Sequence, residues 1–169
     1  TKRDYVSGES HYFFGKRYRL ELINRDEVPA VFLKSKNKIV LQVRPKSSLA
    51  KRHEVMAEWY RAQFNPVAKE MIAKWERRIG VQASHIGIKQ MKTRWGTCNH
   101  VRGRILINLE LAKKPMHCME YVVVHELLHL VEKKHSEKFI TLMAKHIPKW
   151  KSTKDELNGF MLSHEEWKY

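Results

Sequence analysis

The apolar positions of the chain change period several times, and each change marks an element. After Gly15, Tyr18, Leu20 and Leu22 fall on one side and Arg19 and Glu21 on the other, so residues 12–24 read as strand. Residues 30–34 and 39–43 are short apolar runs around the polar stretch Ser35-Lys36-Asn37-Lys38. That pattern predicts a hairpin, bracketed by Pro29 and Pro45. From Leu49 to Phe64 the period lengthens: Met56, Trp59, Tyr60 and Phe64 recur at spacings of three and four, which predicts a helix. Asn65-Pro66 reads as an N-cap and first helical position. A second helix, or a kinked continuation of the first, therefore runs from Pro66 to about Ile79, with Val67, Met71, Ile72, Trp75 and Ile79 as its stripe and Gly80 at its end. The stripe reads as packing surface, and its Trp and Met need no cofactor to explain them.

Residues 85–91 and 104–109 read as two short strands separated by the loop-like RWGTCNHVRG. Pro115 precedes a helix from about Met116 to Val131. Ser136 is a plausible N-cap for another, which runs to about His146 and is stopped by Pro148. The stretch 149–169 is polar apart from Trp150, Leu157, Phe160, Met161, Leu162 and Trp167. Strands, helices, a strand pair and two more helices make an α+β plan. No repeat, low-complexity tract or internal linker interrupts it, so residues 1–169 are expected to form a single domain.

Composition narrows the class. With 169 residues, 43% hydrophobic and 10% aromatic, the chain can bury a core, which excludes disorder as its main description. Lys and Arg number 33 against 18 Asp and Glu, a net charge of +15. Such a charge favours an anionic partner (nucleic acid, nucleotide, acidic peptide or membrane surface), with a solvated basic surface as the plainer reading. Two cysteines, Cys98 and Cys118, cannot build a disulfide framework and fit a reducing compartment. No apolar run approaches the roughly 18–20 residues of a membrane span, and no signal peptide is visible. The expected location is cytoplasmic, without a membrane partner. A start at Thr1 rather than methionine leaves room for a removed upstream segment.

The strongest chemical signal is His125-Glu126-Leu127-Leu128-His129. Positions i and i+4 of a helix lie about 40° apart around the axis and about 6 Å apart along it. Both imidazoles can therefore reach one Zn²⁺ at about 2.0–2.1 Å. Glu126 is offset to the side, where it can hold a water rather than bind the metal. Val122, Val123, Val124, Leu127, Leu128 and Leu130 make this helix apolar almost all round, so it should be buried. Buried histidines and a buried glutamate need partners, since unpaired burial costs several kcal/mol. A metal is one such partner. Satisfied core histidines, with Glu126 ion-paired to one of them, are the alternative.

His135 is the candidate third ligand, because a turn before Ser136 would bring it back towards the pair. Its spacing also matches HExxHxxGxxH, with Glu132 in place of glycine. Glycine tolerates the left-handed turn, whereas Glu132 must turn another way. Met161 makes no convincing Met-turn, so the metzincin reading is set aside. Glu156 or Glu165 would serve in an arrangement with a glutamate ligand.

Three segments together carry a resemblance: RWGTC (residues 94–98), RGRILINLELA (102–112) and VVVHELLHLVEKKHSEKF (122–139). In this order they resemble the YgjP-like metallopeptidase family, with its RWGSC loop and its HELxHL…HSxxF signature. That zincin-like group is related to the SprT-like and WLM-type proteins. The resemblance covers about residues 10–150, and Thr97 stands where the family usually has serine. It implies a zincin-like fold, His125, His129 and His135 as zinc ligands, and Glu126 as the catalytic base. It does not settle the substrate.

Arg94 and Trp95 could set a cation and a flat apolar wall beside the metal, with Arg94 stabilising an oxyanion or binding phosphate. In the plainer reading Trp95 is core and Arg94 pairs with a surface acid. Cys98 is a conceivable fourth ligand but reads better as a packed free thiol. His100, His117, His146 and His164 lack partner spacing. The resulting expectation is a mononuclear metal-dependent hydrolase, first of peptides. A nucleotide phosphohydrolase or pyrophosphatase using Arg94, Arg102 and Arg104 is the second reading. A nucleic-acid-associated protein with a structural zinc is the third, although its basic residues are scattered. Zn²⁺ is the expected ion, and three imidazoles also bind Mn²⁺, Ni²⁺ or Co²⁺.

Overall fold

The computed structural model describes residues 2–160. Met161, Leu162, His164, Glu165 and Trp167 lie outside the described residues. The chain groups into two compact units: residues up to Phe64 with Ala112–Lys114, and Asn65–Leu111 with the residues from Pro115 on.

In the first unit, β1 (Ser10–Phe13), β2 (Lys16–Asn24), β3 (Ala30–Ser35) and β4 (Lys38–Val43) form a sheet of order β1-β2-β4-β3. The strand expected over 12–24 thus begins inside a hairpin. Phe14 and Gly15 turn it with φ of 46° and 79°, the positive values that a tight two-residue hairpin turn requires. The anticipated alternation shows in β2, where Tyr18 and Leu20 are buried while Arg17 and Arg19 are exposed. The β3–β4 hairpin is antiparallel, and β2 pairs with β4 in parallel. β4 lies between β2 and β3, which accounts for its unbroken burial from Ile39 to Val43.

A single helix, α1 (Leu49–Ile79), takes the place of two central helices, with Pro66 inside it. Pro66 removes the N–H that would bond to the carbonyl of Ala62 and its ring crowds that carbonyl, yet the helix runs on through it. In the first unit Met56, Tyr60 and Phe64 are buried. There the Tyr60 hydroxyl donates to the Tyr12 carbonyl at 2.6 Å, and the rings of Trp59 and Phe13 lie 5.0 Å apart.

In the second unit, β5 (His85–Lys89), β6 (Gly96–Asn99) and β7 (Arg104–Asn108) form a sheet of order β5-β7-β6. The expected strand pair is parallel, Ile86 facing Ile105 and Ile88 facing Ile107. The segment read as loop supplies a third, antiparallel strand, with Gly96 opposite Ile107 and Cys98 opposite Ile105. Gly-Thr-Cys-Asn carries no apolar alternation, so pairing with β7 rather than any local pattern makes it a strand.

After a 3-10 segment, Leu109–Lys113, come α2 (Met116–Leu128), α3 (Glu137–His146) and α4 (Trp150–Gly159). α2 ends at Leu128, three residues before the expected boundary, and is buried from Cys118 to Leu128 apart from Glu120. A carboxylate oxygen of Glu120 accepts from Lys74 Nζ at 3.1 Å and from the Trp75 indole at 3.2 Å, tying α1 to α2 within this unit. Ser136 caps α3 by accepting from the Phe139 N–H at 3.3 Å. α4 falls in the stretch that carried no element in the sequence. It buries only Thr153 and Leu157, too few positions to reveal a period. Among the described residues no helix is long and apolar enough to cross a membrane.

Candidate metal centre

α2 ends with the first imidazole and hands over the second. His125 lies in its last turn, and His129 is the C-cap, still at helical angles (φ −67°, ψ −14°). The i, i+4 relation therefore survives the end of the helix. The chain then folds back on tight bonds: the N–H groups of Leu130, Val131 and Glu132 donate to the carbonyls of Leu127, Leu128 and Leu128 at 2.9–3.0 Å. Glu132 is not among the residues of positive φ, so the turn that the longer motif makes with a glycine is made here without a left-handed residue.

His135 returns to the pair. Ring centroids lie 4.8 Å apart for His125–His129, 5.2 Å for His125–His135 and 4.6 Å for His129–His135. One donor nitrogen from each falls within 4.8 Å of the others. Phe139 packs beside all three, 4.6 Å from His129 in a stack and 5.2 and 5.0 Å from His125 and His135 at the edge.

Nδ1 of His129 lies 3.0 Å from the Glu132 carbonyl. An Nδ1–H donating there leaves the Nε2 lone pair for a metal, the usual role of an outer partner. Nδ1 of His125 lies 3.1 Å from Oε1 of Glu126, both side chains being buried. Partial burial among the rings, then the charges of His125, His129 and Lys154, push His135 down to about 4, although its outer face is exposed. Burial, then the charge of His125, also lowers His129. Both effects favour neutral imidazole, the metal-binding form. This donor set suits a divalent ion such as Zn²⁺, with Mn²⁺, Ni²⁺ and Co²⁺ chemically close.

A cavity of about 210 Å³ opens onto the three histidines and Glu126. Arg94, Thr97, Cys98, His100 and Lys133 also line it. Arg94 is exposed at this cavity and makes no ion pair among the described residues. Trp95 is buried core and is not part of the cavity wall. Burial and the charge of Glu126 push the Cys98 thiol up to about 11, and Cys98 stands outside the histidine cluster. Glu156 is elsewhere, 2.6 Å from His117 and near Cys118. His100, which carried no signal in the sequence, lies on the cavity wall, whereas His146 packs edge-on against Trp75 at 5.7 Å.

Asn108 was invisible to sequence reasoning, and it fixes the loop in front of the site. Fully buried, it donates from Nδ2 to the carbonyls of Met91 (3.1 Å) and Arg94 (2.7 Å). Its Oδ1 accepts from the N–H groups of Met91 (3.2 Å) and Glu110 (3.0 Å). An asparagine ending an apolar strand was the one available hint.

No curated protein matches the sequence. Among solved structures, the fold is similar to the metallopeptidase zymogen of Pyrococcus abyssi abylysin, with a TM-score of 0.50 at 21% identity over 54% of this chain and 92% of that one. The metallopeptidase zymogen of Methanocaldococcus jannaschii jannalysin gives 0.49 at 18% identity over 53% and 92%. The family model of the YgjP-like metallopeptidase domain matches residues 1–160, and the chain belongs to the YgjP-like metallopeptidase family.

Proposed function

We propose that the chain is a mononuclear zinc peptidase in which His125, His129 and His135 hold the ion and Glu126 is the general base. The convergence of three imidazoles on one cavity, with the carboxylate of Glu126 beside His125, carries this reading. When bound, the ion would acidify a water and polarise the scissile carbonyl.

Glu126 takes a proton from the attacking water as its oxygen adds to the carbonyl carbon. It then gives that proton to the amide nitrogen as the C–N bond breaks. Its low exposure keeps bulk water from competing for the proton. Arg94, at the cavity wall, faces the negative oxygen that develops on the substrate. Cys98 lines the cavity but stands outside the histidine cluster. Among the described residues the cations lining the cavity for a nucleotide are Arg94 and Lys133, Arg102 and Arg104 do not line it, and the family is one of metallopeptidases.

The test is a substrate panel: zinc-loaded protein with casein, a nucleotide set and labelled DNA across salt, beside Glu126→Gln. The expected result is peptide-bond cleavage by the wild type, none by Glu126→Gln, and equal zinc in both. Phosphate or pyrophosphate release without peptide cleavage would replace this reading with the nucleotide one.

A further inference from the structure

His135 is a wall of two cavities. Besides the one described above, it borders a second of about 230 Å³, open on one side and lined by α2, α3 and α4. Tyr121, Phe139, Ile140, Met143 and Trp150 make that cavity apolar, and among the described residues Lys154 is its one cationic lining residue. A dry apolar cavity of about 150 Å³ already accepts a benzene ring, so this one admits a phenyl group.

The lining is unlike ordinary core. Phe139 and Met143 are buried, but Ile140 is 43% exposed, so an apolar side chain faces water at this cavity. Among the described residues the Lys154 ammonium makes no hydrogen bond or ion pair. It lines the same cavity as His135. An apolar pocket with one uncommitted cation, sharing the wall residue His135 with the cavity at the candidate metal centre, suits a ligand that is apolar at one end and anionic at the other.

We propose that this cavity receives the large apolar or aromatic side chain of the substrate residue flanking the scissile bond, and that Lys154 pairs with a carboxylate adjoining that side chain. This rests on the peptidase reading and names its substrate class: peptides with Phe, Leu or Met beside the cleaved bond and a negative charge close by. The carboxylate comes either from the peptide's C-terminus or from an acidic neighbour. Both present the same group to Lys154. The arrangement also assigns α4 a role, since Trp150 and Lys154, four residues apart on one face, bring it to the site.

Two readouts test this in zinc-loaded protein. The first is direct binding, followed by NMR of ¹³C-methyl methionines with Met143→Leu as the assignment control. The probes are 3-phenylpropanoate and 3-phenylpropanamide. The acid should move the Met143 methyl saturably and bind at least fivefold tighter than the amide, and Lys154→Met should abolish that difference. Ile140→Trp, a change at an exposed position, should fill the cavity and weaken the acid at least tenfold.

The second readout is kcat/KM on peptides with Phe or Ala at the varied position. Each is made as the free acid, as the amide, and as the amide with a following Asp. Phe should exceed Ala at least tenfold, and Ile140→Trp should reverse the order. A preference for the free acid alone assigns the carboxylate to the C-terminus, whereas a preference for the Asp peptide assigns it to an acidic neighbour. Peptide cleavage with an unmoved Met143 methyl and equal rates for Phe and Ala overturns the pocket and leaves the peptidase reading standing. A saturable Met143 shift with no peptide cleaved overturns the peptidase reading, and the pocket as a substrate site falls with it.

Discussion

Gly96 and Glu126 approach so closely that no methyl group fits between them. A Cβ added at Gly96 would lie 2.9 Å from Cγ of Glu126, 3.3 Å from its Oε1 and 2.8 Å from Cγ1 of Val122. Gly96 does not have positive φ, so the constraint is space rather than backbone freedom. β6 is thereby pressed against α2 at Glu126, the base of the proposed reaction.

Gly96→Ala should therefore disable the enzyme more than it unfolds it. Overpacking costs about 1–3 kcal/mol, and a displacement of about 1 Å in a catalytic group can cost about a hundredfold in rate. The expected outcome is a kcat ten- to a hundredfold lower, a small fall in Tm and unchanged zinc content. Wild-type turnover in Gly96→Ala would show that Glu126 is not held by this contact.

Phe139 is the shared packing surface of the three imidazoles, and it is only 3% exposed. Phe139→Ala should cost about 3–5 kcal/mol of stability through the void it leaves. It should also weaken zinc binding at least tenfold, because the rings lose the surface that orients them. Phe139→Leu should retain most of both. Chelator competition at a temperature where all three proteins are folded measures this, and equal zinc affinity in Phe139→Ala would remove Phe139 from the site.

Asn108 is bonded on both faces of its amide. Asn108→Leu leaves the N–H groups of Met91 and Glu110 and the carbonyls of Met91 and Arg94 without their side-chain partner. Buried groups stripped of partners cost about 1–3 kcal/mol each, so urea denaturation should show a loss of at least about 2 kcal/mol. Turnover should fall as the loop bearing Arg94 loosens. A loss below about 0.5 kcal/mol would mean that the loop is held by other contacts.

Cys98 offers a pH test of the charge on Glu126. Its thiol is pushed up from 9.0 to about 11, first by burial and then by that carboxylate. A raised pKa means less thiolate at any pH below it, and thiolate is the reacting form. In the metal-free protein, alkylation by iodoacetamide at pH 8 should be far slower than for an exposed cysteine, and it should rise until about pH 11. Removing the charge in Glu126→Gln lowers the pKa part of the way back, so alkylation at pH 8 should accelerate. An unchanged rate would place the charge of Glu126 away from Cys98.

What could be read from the sequence was local. The pairing of His125 with His129 is a property of one helix, and the cap at Ser136 announces the turn that returns His135. Those signals lie within a dozen residues. β6, Asn108 and the contact of Gly96 with Glu126 depend on chain segments up to about thirty residues apart, where no periodicity links them. α4 stayed hidden because a helix that buries only Thr153 and Leu157 leaves almost no stripe. Pro66 reads as a boundary by its local rule, whereas the structure continues α1 past it, with Phe64, Ala68 and Ile72 buried on either side of the proline.

A hydrolase built on three imidazoles cannot work without its ion. Zinc titration by isothermal calorimetry, with elemental analysis of the dialysed protein, should give one tight equivalent for the wild type and for Glu126→Gln. Affinity should fall at least a hundredfold in each of His125→Ala, His129→Ala and His135→Ala. If the wild type takes up no zinc at saturation, or if the three alanine variants bind it as tightly as the wild type does, the three imidazoles are not a metal site and the hydrolase built on them is wrong.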